Sequence, residues 1–271
     1  MILQVLPVLP GLEKYIQSIW YINPREPVED RDPFIVMADG CPGLIFQDPK
    51  SGVISVGDKS MPPLALYGQA TTSANLHIDG KFNTIGILFR PAAIKKIFRI
   101  PANIITDSCL SISELAGAGN RNITDALADC DSLSERLTIL SAYLHGELAL
   151  SKTPDDAIIE NAIFEIMQAS GNLSLSELQK RLRITERSLE RKFREQVGIS
   201  ARLYARICRF QDSVKQLNGQ CYDKLSDIAY HNGYADQSHF IRNFRSFAGC
   251  SPNQYKHRSV KLFNSYGELV I

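Results

Sequence analysis

The sequence has no long hydrophobic run. Its longest apolar stretches, such as residues 85–89 of the 271, are far shorter than the roughly 18 residues that a membrane-spanning helix needs. The apolar start MILQVLPVLP is interrupted by Pro7 and Pro10 and has no basic residue before Lys14, so it lacks the charged first part of a secretory signal. We therefore expect no membrane contact and a cytoplasmic location.

Patterns for metal binding, disulfides and catalysis are also missing. The six cysteines form no C-x-x-C pair and no regular framework, which indicates neither a zinc site nor a disulfide scaffold. Residues 1–151 contain two histidines, His77 and His145, too few for a metal centre. The motifs G-x-S-x-G, G-x-x-x-x-G-K-[ST] and G-x-G-x-x-G are absent. We expect no catalytic residue, no metal and no cofactor, and therefore no enzyme.

Positive charge is scarce in the first half and abundant in the second. The whole chain has a net charge of +1, yet residues 152–271 carry 18 basic and 13 acidic residues, which leaves 12 and 16 for residues 1–151. Residues 173–271 alone carry 17 basic and 9 acidic residues, a net charge of +8. This asymmetry favours a polyanionic partner for the second half, although a solvated basic face would give the same count.

Short strands dominate the start of the chain. Runs rich in Ile, Val, Phe and Tyr are separated by Gly, Pro and Asp: YIQSIWYI, PFIVM, GLIFQ, GVISVG, PLALYG, ANLHI and FNTIGILF. The Asp39-Gly40 step suggests a tight turn between PFIVM and GLIFQ. From Pro91 the period becomes helical. We predict an α+β domain over 1–151, a β-rich barrel or cupin-like unit followed by helices, with an apolar pocket that a small molecule could occupy.

The last predicted helix of this half, from Ser132 to about Leu150, carries a stripe of leucines. The five leucines follow one another in steps of 4, 3, 4 and 4 residues and therefore share one helical face: Leu133, Leu137, Leu140, Leu144 and Leu148. Such a stripe is either core within the domain or an interface between subunits. The second alternative predicts a homodimer.

The second half contains an internal repeat. The segment LSELQKRLRITERSLERKFREQVGIS, which starts at Leu175, recurs as LSDIAYHNGYADQSHFIRNFRSFAGCS from Leu225, with one residue inserted. Each copy has the pattern of a short helix, a turn and a second helix that ends at a glycine, Gly198 or Gly249. Ser174 or Ser176, and Ser226 in the second copy, are expected to cap or open the first helices. The pattern predicts two helix-turn-helix units.

The boundaries of this all-α domain follow from the repeat. We place the domain at 152–271, the first unit at about 174–198 and the second unit at about 224–249. A connector helix over 200–217 lies between them, about 27 Å long at roughly 1.5 Å per residue. That length is of the order that separates two reading helices by one turn of DNA, about 34 Å. Arg202, Arg206 and Arg209 share a face of the connector, where they either meet phosphates or brace the two units.

The exposed faces of the second helices suit the reading of DNA. In a helix-turn-helix unit the second helix enters the major groove. Arginine can bind guanine through two hydrogen bonds, Gln can bind adenine, and an aliphatic side chain can contact the thymine methyl. The side chains predicted to lie off the buried stripes are Arg187, Glu190, Arg191 and Arg194 in the first unit, and Gln237, Ser238, Ile241, Arg242 and Arg245 in the second.

Residues 156–256 resemble the DNA-binding domain of the AraC/XylS family of bacterial transcription regulators. The resemblance rests on IAYHNGYADQSHFIRNFRSFAGCSPNQYK in the second unit and on RSLERKFREQVGIS followed by LYARICRFQ in the first. The chain departs from the family at Ala201, where proline is common, and at Gln179, where alanine is usual. The resemblance implies base contacts at a set of seven positions: Arg187, Glu190, Arg191, Gln237, Ser238, His239 and Arg242.

The first half resembles, less specifically, a barrel-like N-terminal domain of some family members, through IQSIWYI, ADGCPGLIFQ, LYGQ and ILFRPAAIKKIF.

The sequence therefore predicts a sequence-specific transcription regulator that binds double-stranded DNA. A small-molecule effector, RNA polymerase and a second copy of the chain are the further partners considered, and an effector-free interaction domain would have the same sequence features. The alternatives are an enzyme with an appended DNA-binding module and an RNA-binding or architectural protein. Two reading helices suit B-form DNA better than the deep, narrow major groove of RNA.

Overall fold

The structure is a computed structural model. It describes residues 2–23, 34–81, 83–115, 122–219, 222–257, 262–263 and 269–270. Over these residues, no helix combines the length and the apolar character needed to cross a membrane.

The first half is mainly β-structure, as predicted, and its strands belong to two sheets. In chain order the described strands are β1 (Ile2–Leu6), β2 (Ile16–Asn23), β3 (Phe34–Val36), β4 (Gly43–Gln47), β5 (Gly52–Val56), β6 (Lys59–Ser60), β7 (Leu64–Tyr67), β8 (Ala74–Gly80), β9 (Thr84–Phe89), β10 (Cys109–Ser111), β11 (Leu262–Phe263) and β12 (Leu269–Val270).

The two sheets are open. The first has the strand order β1-β2-β9-β4-β7-β10, and the second has the order β12-β11-β3-β8-β5-β6. Every pair is antiparallel except β11 with β3, so two short strands from the end of the chain join the sheet of the first half. Among the described strands neither sheet closes on itself. The β-rich α+β prediction is therefore confirmed, but the closed barrel is replaced by two open sheets.

The first sheet is covered on both faces. Trp20 and Ile45 face the second sheet, where they pack with Ile54. The opposite face packs on helices, which is why every residue of β4 and β9 is buried, whereas β8 in the second sheet alternates between half-buried and exposed residues. Gly86 lies opposite Trp20, and a Cβ at Gly86 would lie 2.0 Å from the indole Cε2, so only glycine fits there.

Helices follow the sheets in the order that the sequence predicts. Three belong to the first half, and seven follow them: α1 (Ala93–Phe98), α2 (Ile123–Asp129), α3 (Leu133–Leu150), α4 (Ala157–Gln168), α5 (Leu175–Leu182), α6 (Glu186–Gln196), α7 (Ala201–Gly219), α8 (Leu225–His231), α9 (Gln237–Ala248) and α10 (Pro252–Lys256). The two helix-turn-helix units are α5 with α6 and α8 with α9, and α7 is the connector.

The leucine stripe of α3 is core within the chain. Leu140 and Leu144 are 1% and 0% exposed, and the other three leucines are half-buried against the same cluster, which includes β-strands of the first sheet and α1. Of the two alternatives left by the sequence, packing within the domain is thus the observed one. The two central leucines are therefore not available to a partner subunit.

The tight turn predicted at Asp39-Gly40 forms between β3 and β4. The Asp39 carboxyl accepts a hydrogen bond from the Cys41 amide at 2.8 Å, and Gly40 has a φ of 77°. Because β3 and β4 lie in different sheets, the segment is a crossover. Met37 and Ala38, which precede the turn, pack in the core of the helical half.

Candidate nucleic-acid interface

The second helix of the first unit, α6, has one buried and one solvated side. Thr185 caps the helix by accepting a hydrogen bond from the Ser188 amide. Leu189 and Phe193 are 1% and 0% exposed, because they pack on the core that α4, α5 and α7 share. Arg187, Arg191 and Arg194 of α6 are exposed, as the sequence predicts. The side of α6 that carries Lys192 and Gln196 is half-buried.

The corresponding helix of the second unit, α9, is built in the same way from larger side chains. Asp236 caps it through the His239 amide at 2.7 Å. Phe240, Phe244 and Phe247 are buried and contact other aromatic rings, and the centroid of Phe244 lies 5.2 Å from that of Phe210 on the connector. Gly249 ends the helix in the left-handed conformation with a φ of 73°.

Ser226 lies in the first turn of α8 and opens the helix, one of the two predicted alternatives. The cap itself is at Lys224, whose amide donates a hydrogen bond to the Asp227 carboxylate at 2.8 Å. In the first unit the expected cap is present, because Ser174 accepts a hydrogen bond from the Glu177 amide.

The ten predicted DNA-contacting residues all lie on α6 or α9, and none is fully buried. Glu190 and His239 are half-buried, and Ile241 is half-buried against the helical core. The imidazole of His239 meets the Tyr234 ring edge-on at 5.4 Å. The seven exposed residues are Arg187, Arg191, Arg194, Gln237, Ser238, Arg242 and Arg245.

An ion pair links α6 to the first half. Lys95 of α1 donates a hydrogen bond to Glu195 at 2.6 Å, and this bond, which outweighs the cost of burial, lowers the pKa of Glu195. Arg191 lies 3.6 Å from the same carboxylate. Because Lys95 shares the negative charge of Glu195, the guanidinium of Arg191 is only partly neutralised within the chain and stays available to an outside anion.

A second ion pair holds α6 against the start of α4. Burial opposes ionisation of Asp156, but hydrogen bonds from Lys192 and Gln196 outweigh it and lower the pKa of the carboxyl. Asp156 also caps α4 through the Ile159 amide. One carboxylate thus ties the start of α4 to α6.

Backbone hydrogen bonds join the first half to the second unit. The amide of Ala38 donates to the carbonyl of Phe247 at 3.0 Å, and the Ser73 amide donates to Ser246 at 3.2 Å. The Gln211 side chain of α7 donates to the Ala38 carbonyl at 2.6 Å. The crossover that follows β3 is therefore bound to both the connector and the C-terminal end of α9.

Sequence reasoning missed this attachment. Met37 and Ala38 continue the apolar run PFIVM and have no distinguishing pattern. Gln211 is a polar residue in an amphipathic helix, and its burial to 6% exposure was not foreseen. The one available signal was Gly40, since an added Cβ there would lie 3.2 Å from the Tyr204 ring and 3.3 Å from Ile207.

Two helix-turn-helix units, each with an exposed polar side on its second helix, define the second half as a helix-turn-helix domain. Comparison with known families supports this class. Residues 178–258 match the family described as a helix-turn-helix domain, and residues 4–111 match a domain of unknown function (DUF6597). This match confirms the helix-turn-helix prediction for the second half of the chain.

Two curated relatives are similar to the helical half. The HTH-type transcriptional activator RhaR of Yersinia pseudotuberculosis is 28% identical over 109 residues, which are 40% of this chain and 37% of RhaR. An HTH-type transcriptional regulator of Staphylococcus aureus is 28% identical over 102 residues, 38% of this chain and 14% of that protein. The chain thus matches little more than a third of the length of the first of these relatives.

Two solved structures are similar over different lengths. ToxT from Vibrio cholerae aligns with 90% of this chain and 98% of its own at 15% identity and a TM-score of 0.47. The C-terminal domain of AraT, a response regulator from Geobacillus stearothermophilus, covers 43% of this chain and 95% of its own at 24% identity and a TM-score of 0.36. Neither likeness assigns a ligand or a residue.

Proposed function

We propose that the chain is a sequence-specific transcription regulator that reads two adjacent major grooves of DNA with α6 and α9. The observation that carries this proposal is the repeated geometry. Each of the two helices has a buried apolar side and a solvated polar side, and α7 joins the two units. The domain division at 151/152 and the ten contact residues on α6 and α9 are parts of the proposal.

The side chains of α9 favour direct reading of bases. Arg242 is exposed one helical turn after Ser238, on the side of the helix away from Phe240 and Phe244. A guanidinium in this position can bind O6 and N7 of guanine together, and such a pair contributes about 1 to 3 kcal/mol of discrimination between bases. Arg242 is therefore the most informative residue to change.

Selection of duplexes from a random pool by the full-length protein tests the proposal. We expect a defined sequence to emerge, with two conserved blocks about one DNA turn apart. Arg242→Ala should lose about 1 to 3 kcal/mol on that sequence and relax the preference at one position. Arg242→Lys should not restore it, because lysine lacks the two-pronged geometry. Equal weakening on all sequences would make Arg242 a phosphate contact, and the absence of any selected sequence would refute the proposal.

Control by a small molecule in the first half is a further part of the proposal. Its support is the attachment of Ala38 to Gln211 and Phe247, because a ligand that shifted β3 would displace the connector and α9 together. The proposal includes no catalytic activity. Because the partner is DNA, the proposed place of action is the cytoplasm.

RNA polymerase and a second copy of the chain stay predictions. The dimer was inferred from the stripe on α3, but Leu140 and Leu144 are buried within the chain and so give it no support. Sedimentation velocity of the full-length protein distinguishes a monomer from a dimer directly.

A further inference from the structure

A basic cleft lies between the two helix-turn-helix units. Its volume is about 710 Å³, and its walls come from the start of α5, from the connector α7 and from the reading helix α9. Arg202, Arg206 and Arg209 line it from α7, with Ser174 on one side and His239 with Asn243 on the other. None of the described residues that line the cleft is acidic, so the site favours an anion.

The three arginines differ in the contacts that their guanidinium groups make within the chain. Arg209 donates a hydrogen bond to the Gly171 carbonyl at 3.1 Å and lies over the Tyr234 ring at 5.7 Å, so it braces the two units. Arg206 donates to Asn243 at 2.8 Å and lies over the Phe247 ring at 5.3 Å, which orients its guanidinium but leaves other N–H groups available. The sequence left open whether these arginines brace or bind phosphate, and Arg209 has a bracing role.

Arg202 is the informative member. It is exposed and makes no ion pair with any described residue. It is also the second residue of α7, where a positive charge opposes the helix dipole and therefore does not stabilise the helix. A basic residue in this position gains nothing from the fold, which points to a partner outside the chain.

The position of the cleft identifies that partner. Any occupant touches both units and lies beside His239, at the N-terminal half of the proposed reading helix α9. When two such helices enter consecutive major grooves on one face of a duplex, the sugar-phosphate backbone passes between them. The start of α5, with Ser174 as its cap, also faces this cleft, and the N-terminus of a helix favours phosphate.

We propose that the cleft between the two units binds the backbone phosphates of DNA between the two half-sites, with Arg202 and Arg206 as the phosphate-contacting residues. This inference rests on the proposed function and adds to it a sequence-independent contact made by the connector helix. Such a contact positions the two units on the duplex without reading a base.

The test measures the salt dependence of binding by the full-length protein. Fluorescence anisotropy gives the affinity for the selected duplex and for an unrelated duplex at several salt concentrations. Each phosphate contact contributes about 0.9 to the slope of log affinity against log salt. We expect Arg202→Gln to reduce the slope by about 1 and the Arg202→Gln, Arg206→Gln pair by about 2, with the same fold-loss on both duplexes. Arg202→Gln should leave the thermal midpoint unchanged or slightly higher.

Lys215→Gln is the matched control, because it removes the same charge from the same helix. Lys215 lies six residues after Arg209, which turns the helix by about 240° and places it on another face. This variant should keep the wild-type slope. If the paired variant has the same slope as Lys215→Gln while the wild type still binds its selected duplex, the cleft inference is wrong and the proposed function stands. If the wild type binds no duplex, the proposed function itself fails.

Two further results would also overturn the inference. A loss confined to the selected duplex would make Arg202 a base contact. Calorimetric titration with inorganic pyrophosphate tests a free anion as the occupant. If the paired variant loses pyrophosphate binding but keeps the slope for DNA, the cleft serves a free phosphate compound instead of the DNA backbone.

Discussion

The two helix-turn-helix units are copies of one sequence pattern, but they attach to the first half of the chain by different chemistry. The first unit is held through the half-buried ion pair of Lys95 with Glu195 and through the Thr106 hydroxyl, which donates to the Gly198 carbonyl at 2.8 Å. The second unit is held through backbone groups and buried side chains around Ala38.

This difference has a physical consequence. Exposed ion pairs contribute about 0 to 1 kcal/mol and are screened by salt. Buried hydrogen bonds are insensitive to salt, and leaving one partner unsatisfied costs about 1 to 3 kcal/mol. The second unit is therefore expected to follow movements of the first half closely, whereas the first unit can separate from it at high salt.

The largest effect is expected from the core of the second unit. Phe244→Ala should lower the free energy of unfolding by about 3 to 5 kcal/mol, because its fully buried ring contacts Phe210, Phe240 and Tyr255. Urea denaturation followed by circular dichroism measures this loss. Phe164→Ala is the matched control, since Phe164 is 61% exposed on α4, and its effect should stay within about 0.5 kcal/mol. Equal stability of the two variants would contradict the core role of Phe244.

The next effect depends on pH and concerns the crossover that holds the second unit. Burial raises the pKa of Asp39 from its ordinary value of 3.8 to about 7. The neutral carboxyl is thus favoured in the folded chain, and the stability it gives is complete below about pH 4 and lost as the pH rises through about 7. Asp39→Asn, which keeps an oxygen for the Cys41 amide, should gain roughly 1 to 3 kcal/mol over the wild type between pH 4 and pH 8.

Denaturation of both proteins across this pH range measures the gain, and only the difference from the wild type is used, because other groups titrate in both. Asp58→Asn, at an exposed position between β5 and β6, is the control for the loss of one carboxyl group. A stability difference for Asp39→Asn that does not change with pH would show that Asp39 is ionised in the folded chain.

An effect of similar size is expected when the buried attachment loses one hydrogen bond. Gln211→Ala leaves the Ala38 carbonyl without its side-chain donor and should cost about 1 to 3 kcal/mol. Amide hydrogen exchange at Ala38 should become faster, because its bond to Phe247 lies in the same contact. Gln216→Ala removes a half-buried bond to Asp212 on the same helix and should leave exchange at Ala38 unchanged. If exchange at Ala38 is unchanged in Gln211→Ala, the Gln211 hydrogen bond does not support the bond between Ala38 and Phe247, and this part of the attachment is wrong.

The smallest effect is expected at the charged attachment. Lys95→Gln should cost no more than about 1 kcal/mol at low salt and nothing measurable at high salt, since the Lys95 and Glu195 side chains are 28% and 34% exposed. Lys81→Gln, at an exposed position after β8, controls for the change in net charge. If the loss of stability in Lys95→Gln persists at high salt while that in Gln211→Ala disappears, the second attachment is the salt-sensitive one and our comparison is wrong.

The repeated helices were predictable because their signals are local. The apolar spacing of Leu189 and Phe193, and of Phe240 and Phe244, fixes which side of each helix is buried, and Gly249 marks a helix end. The sequence placed Ser226 at the start of α8 but did not identify the Lys224–Asp227 cap, because neighbouring residues offer alternative hydrogen bonds to the same amide groups. The seven exposed contact positions follow from the same spacing and stay predictions as contacts.

The sequence by itself determined the two helix-turn-helix units and the polar surfaces of α6 and α9. A helix turns once every 3.6 residues, so the spacing of apolar residues along the chain shows which side of each helix is buried. Only the tertiary structure decided that the two sheets stay open, that the crossover at Ala38 attaches to α9, and that Arg202 and Arg206 share a cleft with Ser174 and His239. These features join residues far apart in the chain. Their partners depend on which surfaces are already buried, and no local spacing encodes that.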